Sequence, residues 1–416
     1  MVYIGILGYG VVGSGVAEVI RKNSSSIKVR AGEEIKVKKI LDIRDFSDSP
    51  DKDVLTKNSD DIFSDDSISI VVETIGGARI AYDFTKKALQ AGKSVVTSNK
   101  ELVATHGPEL LKLARENNVS YLFEASVGGG IPIIRPLNRC LAANEISGII
   151  GILNGTTNYI LTQMKRDGKN FAEALKEAQE KGYAEADPTA DIEGHDACRK
   201  IAILSSIAYN EFVDYKDIYT EGITRISLED MHYAEAMNSA IKLIGMSKRI
   251  DGKVFARVSP ALVSKTSPLS NVEDVFNAIV VKGNAIGDAM FYGRGAGKLP
   301  TASAVVADVI DIVKHAEGTI GTTWVVKEES NTINKDEVET KFFIRVKTED
   351  IKRTEISIGE LFGNINRVKT GNISVEDEVA FVTGRIPEKR LAEIVNKLKD
   401  FEFVIDIANM IRVLDE

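Results

Sequence analysis

The sequence predicts an α/β protein that begins with a Rossmann-type domain, a doubly wound parallel sheet that holds a dinucleotide. An apolar run at residues 3–8 breaks into glycines and is followed by a helical pattern over residues 11–21. Strand-like and helix-like segments then alternate up to residue 97, as they do in parallel sheets. At 416 residues the chain is also too long for one ordinary core. We therefore expect two or three domains.

The predicted domains differ in the order and length of their predicted strands and helices. A dinucleotide-binding domain covers residues 1–130, an α+β catalytic and dimerisation domain covers 131–320, and a ferredoxin-like βαββαβ module covers 338–416. Strands are predicted near residues 3–8, 35–43, 69–73, 94–97, 148–153, 341–347 and 403–413, and helices near 11–21, 79–91, 171–181, 198–208, 301–315, 356–362 and 388–398.

Composition excludes several function classes. The net charge of −8 is spread along the chain, which disfavours nonspecific binding to nucleic acid or anionic membranes. Cys140 and Cys198 lack the spacing of a metal site, and two cysteines make no disulfide framework. The first residues enter a strand without a signal peptide, and no apolar run approaches the ~18 residues of a membrane span. We expect a cytoplasmic protein with neither nucleic acid nor membrane as a partner.

The glycines after the first strand form the strongest local motif. Gly8, Gly10 and Gly13 match G-x-G-x-x-G between a predicted strand and helix. Glycines permit a tight turn and close approach of a pyrophosphate, while the helix N-terminus attracts the anion. We expect Val11 and Val12 to join these glycines in binding the cofactor. The alternative is an ordinary glycine-rich turn.

Further cofactor contacts are expected where the next strands end. Asp42 would bind the ribose 2′-hydroxyl of NAD, whereas Arg44 would accept the 2′-phosphate of NADP, so the sequence leaves NAD or NADP open. Thr74, Ser98 and Lys100 follow the ends of later strands, which face the ligand crevice of an open α/β sheet. Solvated strand-end charges, and a surface lysine at a helix start, are the alternatives.

Acidic residues concentrate between residues 182 and 200. Asp196 and Lys200 are four positions apart and share one face of a helix. The alternative is an exposed i,i+4 pair of little consequence. Because the apolar residues 201–204 follow Lys200, we favour a buried lysine that acts as a general acid/base, with Asp196 orienting it.

Together these segments resemble homoserine dehydrogenases over residues 1–320. The matching motifs occur in the expected order at residues 98–101 (SNKE), 124–132 (EASVGGGIP), 154–159 (NGTTNY), 182–200 and 293–302 (GRGAGKLPTA). The resemblance implies NAD(P)-dependent interconversion of L-homoserine and L-aspartate 4-semialdehyde, in the synthesis of threonine, methionine and isoleucine.

The resemblance also assigns roles to single residues. Lys200 would be the proton donor, with Lys100 supporting the same substrate oxygen. The implied substrate contacts are Gly155, Thr156, Tyr183, Glu185, Asp191 and Asp196, and Gly182, Glu185 and Gly297 would lie near the cofactor. Carbonyl groups of Glu124, Val127, Gly129 and Ile131 would hold a sodium ion.

The C-terminal module resembles an ACT domain, a regulatory fold of amino-acid biosynthesis. Residues 347–356 lack the Pro-Gly or Asp-x-x-Gly pattern of an effector loop, so an amino-acid effector and a structural or dimerising role both stay open. A homodimer is the default for a soluble enzyme. Two other readings remain, a sensor without catalysis and a dehydrogenase of a different amino-acid aldehyde, and the presence of both lysines with their acids argues against the sensor.

Overall fold

The computed structural model describes residues 1–315, 321–363, 365–369 and 377–415. These residues form two compact units. The first comprises Met1–Ile149, Ala202–Tyr215 and the described part of Ile279–Ser330, and the second comprises Ile150–Ile201, Lys216–Ala278 and the described part of Asn331–Glu416. The predicted segments 131–320 and 338–416 therefore include stretches, at 316–320, 364, 370–376 and 416, that lie outside the described residues.

The elements are numbered in chain order. The strands are β1 Val2–Leu7, β2 Ile35–Leu41, β3 Leu55–Thr56, β4 Ile68–Glu73, β5 Ser94–Thr97, β6 Tyr121–Leu122, β7 Ile146–Ile152, β8 Tyr219–Thr220, β9 Ser239–Ile250, β10 Lys253–Ser264, β11 Phe276–Gly283, β12 Gly287–Arg294, β13 Glu339–Thr348, β14 Asn366–Val368, β15 Glu378–Val382, β16 Ile386–Pro387 and β17 Val404–Val413. The helices are α1 Val11–Lys22, α2 Ser24–Ala31, α3 Asp60–Phe63, α4 Arg79–Gln90, α5 Lys100–Glu116, α6 Gly155–Asp167, α7 Phe171–Glu180, α8 Thr189–Ile192, α9 His195–Tyr209, α10 Leu228–Ala236, α11 Lys298–Lys314, α12 Ile351–Phe362 and α13 Glu388–Lys399.

The first unit contains the predicted parallel sheet, with strands in the order β3-β2-β1-β4-β5-β6. Its continuous apolar strands are buried because helices cover both faces. Ile4 and Ile6 of β1 pack in one core with Val16 of α1 and Val305 of α11. Strand order reverses between β1 and β4, which is where ligands bind in this fold. The predicted Rossmann-type domain is confirmed.

The second unit is built around antiparallel strands. β9 and β10 pair along their whole lengths, from Ser239 opposite Ser264 to Ile250 opposite Lys253. β10 then pairs in parallel with β17, and the order continues β17-β13-β15-β14 with antiparallel neighbours. The C-terminal strands and helices follow the predicted order β, α, β, β, α, β, with the two-residue β16 in addition. This module therefore shares a sheet with the β9–β10 ribbon.

Three predicted helices begin earlier than expected, and one of them is α11, which begins at Lys298 and not at residue 301. α12 begins at Ile351, not at residue 356, because the Asp350 carboxylate accepts a hydrogen bond from the Arg353 backbone amide at 3.0 Å and so caps it. α9 begins at His195, three residues before the predicted start. The start of α12 is thus set by a short polar residue that the apolar pattern does not register. Across the described ranges, no helix has both the length and the apolar character needed to cross a bilayer.

Candidate active site

The glycine turn of the first unit has the shape that a dinucleotide requires. Gly8 has φ +94°, which glycine adopts without strain. A Cβ on Gly13 would lie 2.0 Å from the Gly8 carbonyl oxygen, so no side chain fits there. The next helix, α1, begins at Val11 with no side chain capping its first amides. Those amides are consequently suited to a pyrophosphate.

Asp42 and Arg44 interact with each other at the end of β2. The Arg44 side chain donates to both Asp42 carboxylate oxygens at 3.0 and 2.8 Å, and the Tyr9 amide donates to Asp42 Oδ2 at 2.7 Å. Hydrogen bonds from Arg44 hold the pKa of Asp42 well below its usual range. Asp42 is buried, whereas Arg44 is exposed and its guanidinium lies 5.0 Å from the Phe46 ring centroid.

Lys100 is the first residue of α5, directly after the loop that ends β5, and it is half-buried. Asn99 caps this helix, its Oδ1 accepting from the Leu102 amide at 3.0 Å. The Asn99 side-chain amide donates to the carbonyls of Ile75 and Gly77 at 3.0 and 2.8 Å. The loop that presents Lys100 is thereby tied to the loop after β4.

Thr74, the first residue of the loop after β4, contacts the glycine turn. Its hydroxyl donates to the carbonyls of Leu7 and Gly8 at 2.9 and 3.0 Å. Ser98, at the end of β5, donates its amide to the Glu73 carbonyl at 3.5 Å. Three neighbouring loops at the carboxyl edge of the sheet are therefore linked by hydrogen bonds.

The loop at residues 124–132 of the first unit is fixed by its own glutamate. The buried Glu124 carboxylate accepts from the backbone amides of Ile133, Ile134 and Arg135 at 2.6–2.8 Å. A Cβ on Gly129 would lie 2.4 Å from the Gly295 carbonyl oxygen. The chain is thus held in one shape from Glu124 onward, with Val127 and Ile131 buried in it. Gly297 has φ +121° just before α11, in the same unit.

The second unit contains the lysine–carboxylate cluster. Lys200 Nζ lies 2.7 Å from Asp196 Oδ2 and donates to the Leu153 carbonyl at 2.8 Å. Both charged residues are buried, at 9% and 4% exposure, because one turn of α9 places them side by side against the end of β7. The predicted shared helix face is confirmed, and the alternative of an exposed pair is wrong.

Asn154 connects this pair to a second acid. Its side-chain amide donates to Asp191 Oδ1 at 2.6 Å and to Asp196 Oδ2 at 2.8 Å. Burial and the charge of Asp196 raise the pKa of Asp191. The sequence-based site omitted Asn154, which was quoted only within the NGTTNY motif. Its position between a strand end and an N-G turn is that of an ordinary helix cap, a role it also performs for Thr157 at 2.8 Å.

The remaining predicted substrate residues surround the start of α6, whose first residue is Gly155. The Thr156 hydroxyl donates to the Tyr183 carbonyl at 2.7 Å, which ties this start to the acidic loop. Gly182, with φ +72°, lies just after the end of α7, and Tyr183 and Glu185 are exposed. The second unit thus contains all the predicted substrate residues together with Lys200. The first unit contains Lys100 and the other predicted cofactor and cation residues, except Gly182 and Glu185, which lie in the second unit.

A Rossmann sheet with a G-x-G-x-x-G turn, in a chain that also carries a buried lysine–carboxylate cluster, defines a nicotinamide-dependent oxidoreductase. Comparison with known proteins specifies which one. The family model described as "Homoserine dehydrogenase" matches residues 132–310, and "Homoserine dehydrogenase, NAD binding domain" matches residues 8–124.

Relatives extend the match to nearly the whole chain. The homoserine dehydrogenase of Bacillus subtilis is 38% identical, covering 99% of this chain and 98% of that protein. The crystal structure of a homoserine dehydrogenase from Thiobacillus denitrificans superposes with a TM-score of 0.89 at 36% identity, covering 100% and 98% of the two chains. A hyperthermophilic archaeal homoserine dehydrogenase in complex with NADPH matches with a TM-score of 0.64 at 33% identity, over 74% of this chain and 97% of that one. The chain belongs to the homoserine dehydrogenase family, which makes it an NAD(P)-dependent oxidoreductase of amino-acid biosynthesis.

Proposed function

We propose that the enzyme interconverts L-homoserine and L-aspartate 4-semialdehyde, on the pathway to threonine, methionine and isoleucine, with Lys200 as the proton donor and acceptor. The observation that carries this proposal is the buried Lys200 ammonium between Asp196 and the Leu153 carbonyl. An ammonium has three N–H donors, so two such bonds leave one for the substrate oxygen. The bound nicotinamide supplies or accepts the hydride.

Lys200 acts on the oxygen at the reacting carbon. When the aldehyde is reduced, that oxygen gains negative charge, and Lys200 stabilises it and delivers the proton. In the reverse direction the amine of Lys200 takes the hydroxyl proton as the hydride leaves carbon. Asp196 fixes the amine and balances its charge, and Lys100 supports the nicotinamide that the first unit binds.

The acids of the second unit bind the amino-acid part of the substrate. Asp191 and Asp196 bring two carboxylates close to Lys200, and two negative charges in one place favour the binding of a substrate ammonium. Glu185 and Tyr183, together with the Gly155 turn, complete the contacts.

The assay follows nicotinamide absorbance with L-homoserine, and with L-serine and L-threonine as substrates of the wrong length or branching. The wild type oxidises L-homoserine only, and Lys200→Ala lowers the rate by about 100-fold or more. Lys176 makes an exposed i,i+4 pair with Glu180 in the same unit, so Lys176→Ala is the matched control and keeps the wild-type rate. Full turnover by Lys200→Ala would remove the proton-transfer role.

For the cofactor we propose NADP over NAD. Asp42 is engaged by Arg44 and by the Tyr9 amide, so its carboxylate is committed, while the exposed Arg44 guanidinium suits a 2′-phosphate. The NADPH complex of the archaeal relative is consistent with this choice. Arg44→Ala should raise KM for NADP about tenfold and leave KM for NAD unchanged. An equal change for both cofactors would contradict the preference.

The family also implies a monovalent cation, and the loop that Glu124 fixes is compatible with one. We propose that carbonyl oxygens of Glu124, Val127, Gly129 and Ile131 hold sodium, since hard cations take oxygen ligands. The cation would stiffen the loop and take no part in proton transfer. Sodium chloride should raise the melting temperature relative to tetramethylammonium chloride at equal ionic strength, and equal values would contradict the site.

The C-terminal module is proposed to be ACT-like, in a cytoplasmic homodimer. Its β13-α12-β14-β15-α13-β17 order, and a sheet in which β13 lies between β17 and β15, support the fold. Threonine, methionine and isoleucine are the effectors to test in the same assay. Unchanged rates with all three would leave the module a structural role.

A further inference from the structure

Glu73 is a buried acid that no step above uses. It is the last residue of β4, 0% exposed, at the sheet edge where strand order reverses and ligands bind. A buried carboxylate normally needs a cation partner. The partners that the structure gives Glu73 are the Ile75 amide and the Thr97 hydroxyl, each at 2.5 Å. Burial raises the pKa of Glu73 to about 7.

The hydrogen bonds of Glu73 form a directed chain. The Asn99 backbone amide donates to Thr97 Oγ1 at 2.9 Å, and the Thr97 hydroxyl donates in turn to Glu73 Oε2. The other oxygen, Oε1, accepts from Ile75, the residue whose carbonyl accepts from the Asn99 side chain. The Glu73 carboxylate thus connects, through hydrogen bonds, the loop after β4 and the loop after β5. The loop after β5 leads directly into Lys100.

The same carboxylate borders the glycine turn. Its neighbour Thr74 donates to the Leu7 and Gly8 carbonyls, and Leu7 of β1 is opposite Glu73 in the sheet. Thr97 of β5 is opposite Glu73 on the other side. Glu73 therefore lies at the centre of the three loops that end β1, β4 and β5.

We propose that Glu73, acting through Thr97, is a positioning residue that fixes the Lys100 loop relative to the loop after β4 and so sets both cofactor affinity and the rate of hydride transfer. This inference rests on the proposed role of Lys100 and of the glycine turn in the first unit. It predicts that the hydroxyl at position 97 matters for function, beyond its contribution to folding.

Two buried threonines of the first unit provide a matched pair. Thr97 and Thr85 are both 0% exposed, but the Thr85 hydroxyl has no hydrogen-bond partner in the described part of the chain. Thr97→Val and Thr85→Val each replace a hydroxyl by a methyl group of similar shape. Thr97→Ser keeps the hydroxyl. Glu73→Gln keeps the shape of the acid but replaces one acceptor oxygen by an NH2 donor, so that its two ends can no longer accept from both the Ile75 amide and the Thr97 hydroxyl.

The experiment measures NADPH affinity by fluorescence titration, steady-state kcat and KM, and melting temperature. Thr97→Val should weaken NADPH binding and lower kcat, each by about tenfold, because a misplaced group near reacting atoms is costly. KM for L-homoserine should stay within about twofold, because the acids that bind it lie in the other unit. Thr97→Ser and Thr85→Val should match the wild type, and Glu73→Gln should resemble Thr97→Val.

The outcomes separate this inference from the proposed function. If the wild type does not oxidise L-homoserine, the proposed function fails, while NADPH titration still tests Glu73. Should folded Thr97→Val behave like Thr85→Val in affinity and kcat, the positioning role is overturned. If Thr97→Val cannot fold, Glu73→Gln decides by the same measurements, and failure of both to fold would make the pair structural and overturn the inference.

Discussion

Two buried charge clusters in the second unit differ in how their carboxylates are neutralised. In the Lys200–Asp196 cluster, Asp191 has a raised pKa because of burial and the charge of Asp196. In the second cluster, Glu388 is more fully buried than the half-buried Asp191, yet hydrogen bonds from Arg412 together with the charges of Arg412 and Arg257 outweigh burial and lower its pKa. The Arg412 guanidinium donates to the two carboxylate oxygens of Glu388 at 2.9 and 2.7 Å.

The difference teaches where to look for a ligand. Glu388 has a permanent cation for each of its oxygens, so its cluster is closed and joins the C-terminal module to β10 through Arg257. Asp191 has a neutral amide partner in Asn154. A half-buried carboxylate with a raised pKa is a place where a positively charged ligand would be stabilised, and under the proposed function that ligand is the substrate ammonium.

The largest effect should come from removing the charge of Glu388 in the Arg257–Glu388–Arg412 cluster. Glu388→Gln removes the carboxylate that Arg257 and Arg412 share and leaves Arg412 with Glu221, which should cost about 3–5 kcal/mol of unfolding free energy. Urea denaturation measures the loss, and kcat under native conditions should stay near the wild-type value. Glu180→Gln, in an exposed pair, is the control that should change nothing. A loss under about 1 kcal/mol for Glu388→Gln would contradict the closed description.

Asp196→Asn comes next, because it weakens the orientation of Lys200. We expect kcat/KM to fall by about 100-fold, equivalent to about 3 kcal/mol of barrier, while the protein remains folded. Steady-state kinetics and thermal unfolding together give the answer. A change of less than about threefold would show that Lys200 is held well enough by Leu153 alone.

Asp191→Asn should act on binding. The amide preserves size but removes the charge that attracts the substrate ammonium, so KM for L-homoserine should rise about tenfold with little change in kcat. Stability should stay equal or increase, since a carboxylate strained by burial is gone. An unchanged KM would move the ammonium site elsewhere.

The smallest effect is a difference in pH dependence. A raised pKa in the folded state means that Asp191 contributes stability below its unfolded pKa and loses it as pH rises through the folded value. The lowered pKa of Glu388 has the opposite sign, so its contribution exists above the unfolded pKa and is lost on acidification.

Urea denaturation between about pH 3 and pH 8 tests these signs. Asp191→Asn should gain on the wild type as pH rises, whereas the deficit of Glu388→Gln should shrink as pH falls. The exposed control Glu180→Gln should follow the wild type throughout. Parallel curves for both buried variants would contradict the assigned shifts.

Local signals in the sequence predicted much of this architecture. The apolar run before Gly8 and the glycine spacing predicted β1, the turn and α1, because each depends on residues close in the chain. The four-residue spacing of Asp196 and Lys200 predicted their contact for the same reason. Burial of the pair was inferred from the apolar residues 201–204, and the structure agrees.

Contacts between distant segments were beyond such reasoning. Asn154 meets Asp196 across 42 positions, and Glu73 meets Thr97 across 24. No periodic pattern in the sequence indicates either contact. Taken alone, Asn154 suggests an ordinary helix cap, and Glu73 suggests the end of a strand. The parallel pairing of β10 with β17 is likewise set by packing of the whole unit, so the sequence could not show that the C-terminal module continues the sheet.

The central claim, proton transfer by Lys200, is tested most directly by single-turnover reduction of L-aspartate 4-semialdehyde in Lys200→Met preloaded with NADPH. With NADPH affinity unchanged, the oxidation of bound NADPH should be at least about 100-fold slower than in the wild type and in Lys176→Met. Equal single-turnover rates in Lys200→Met and the wild type would contradict the account.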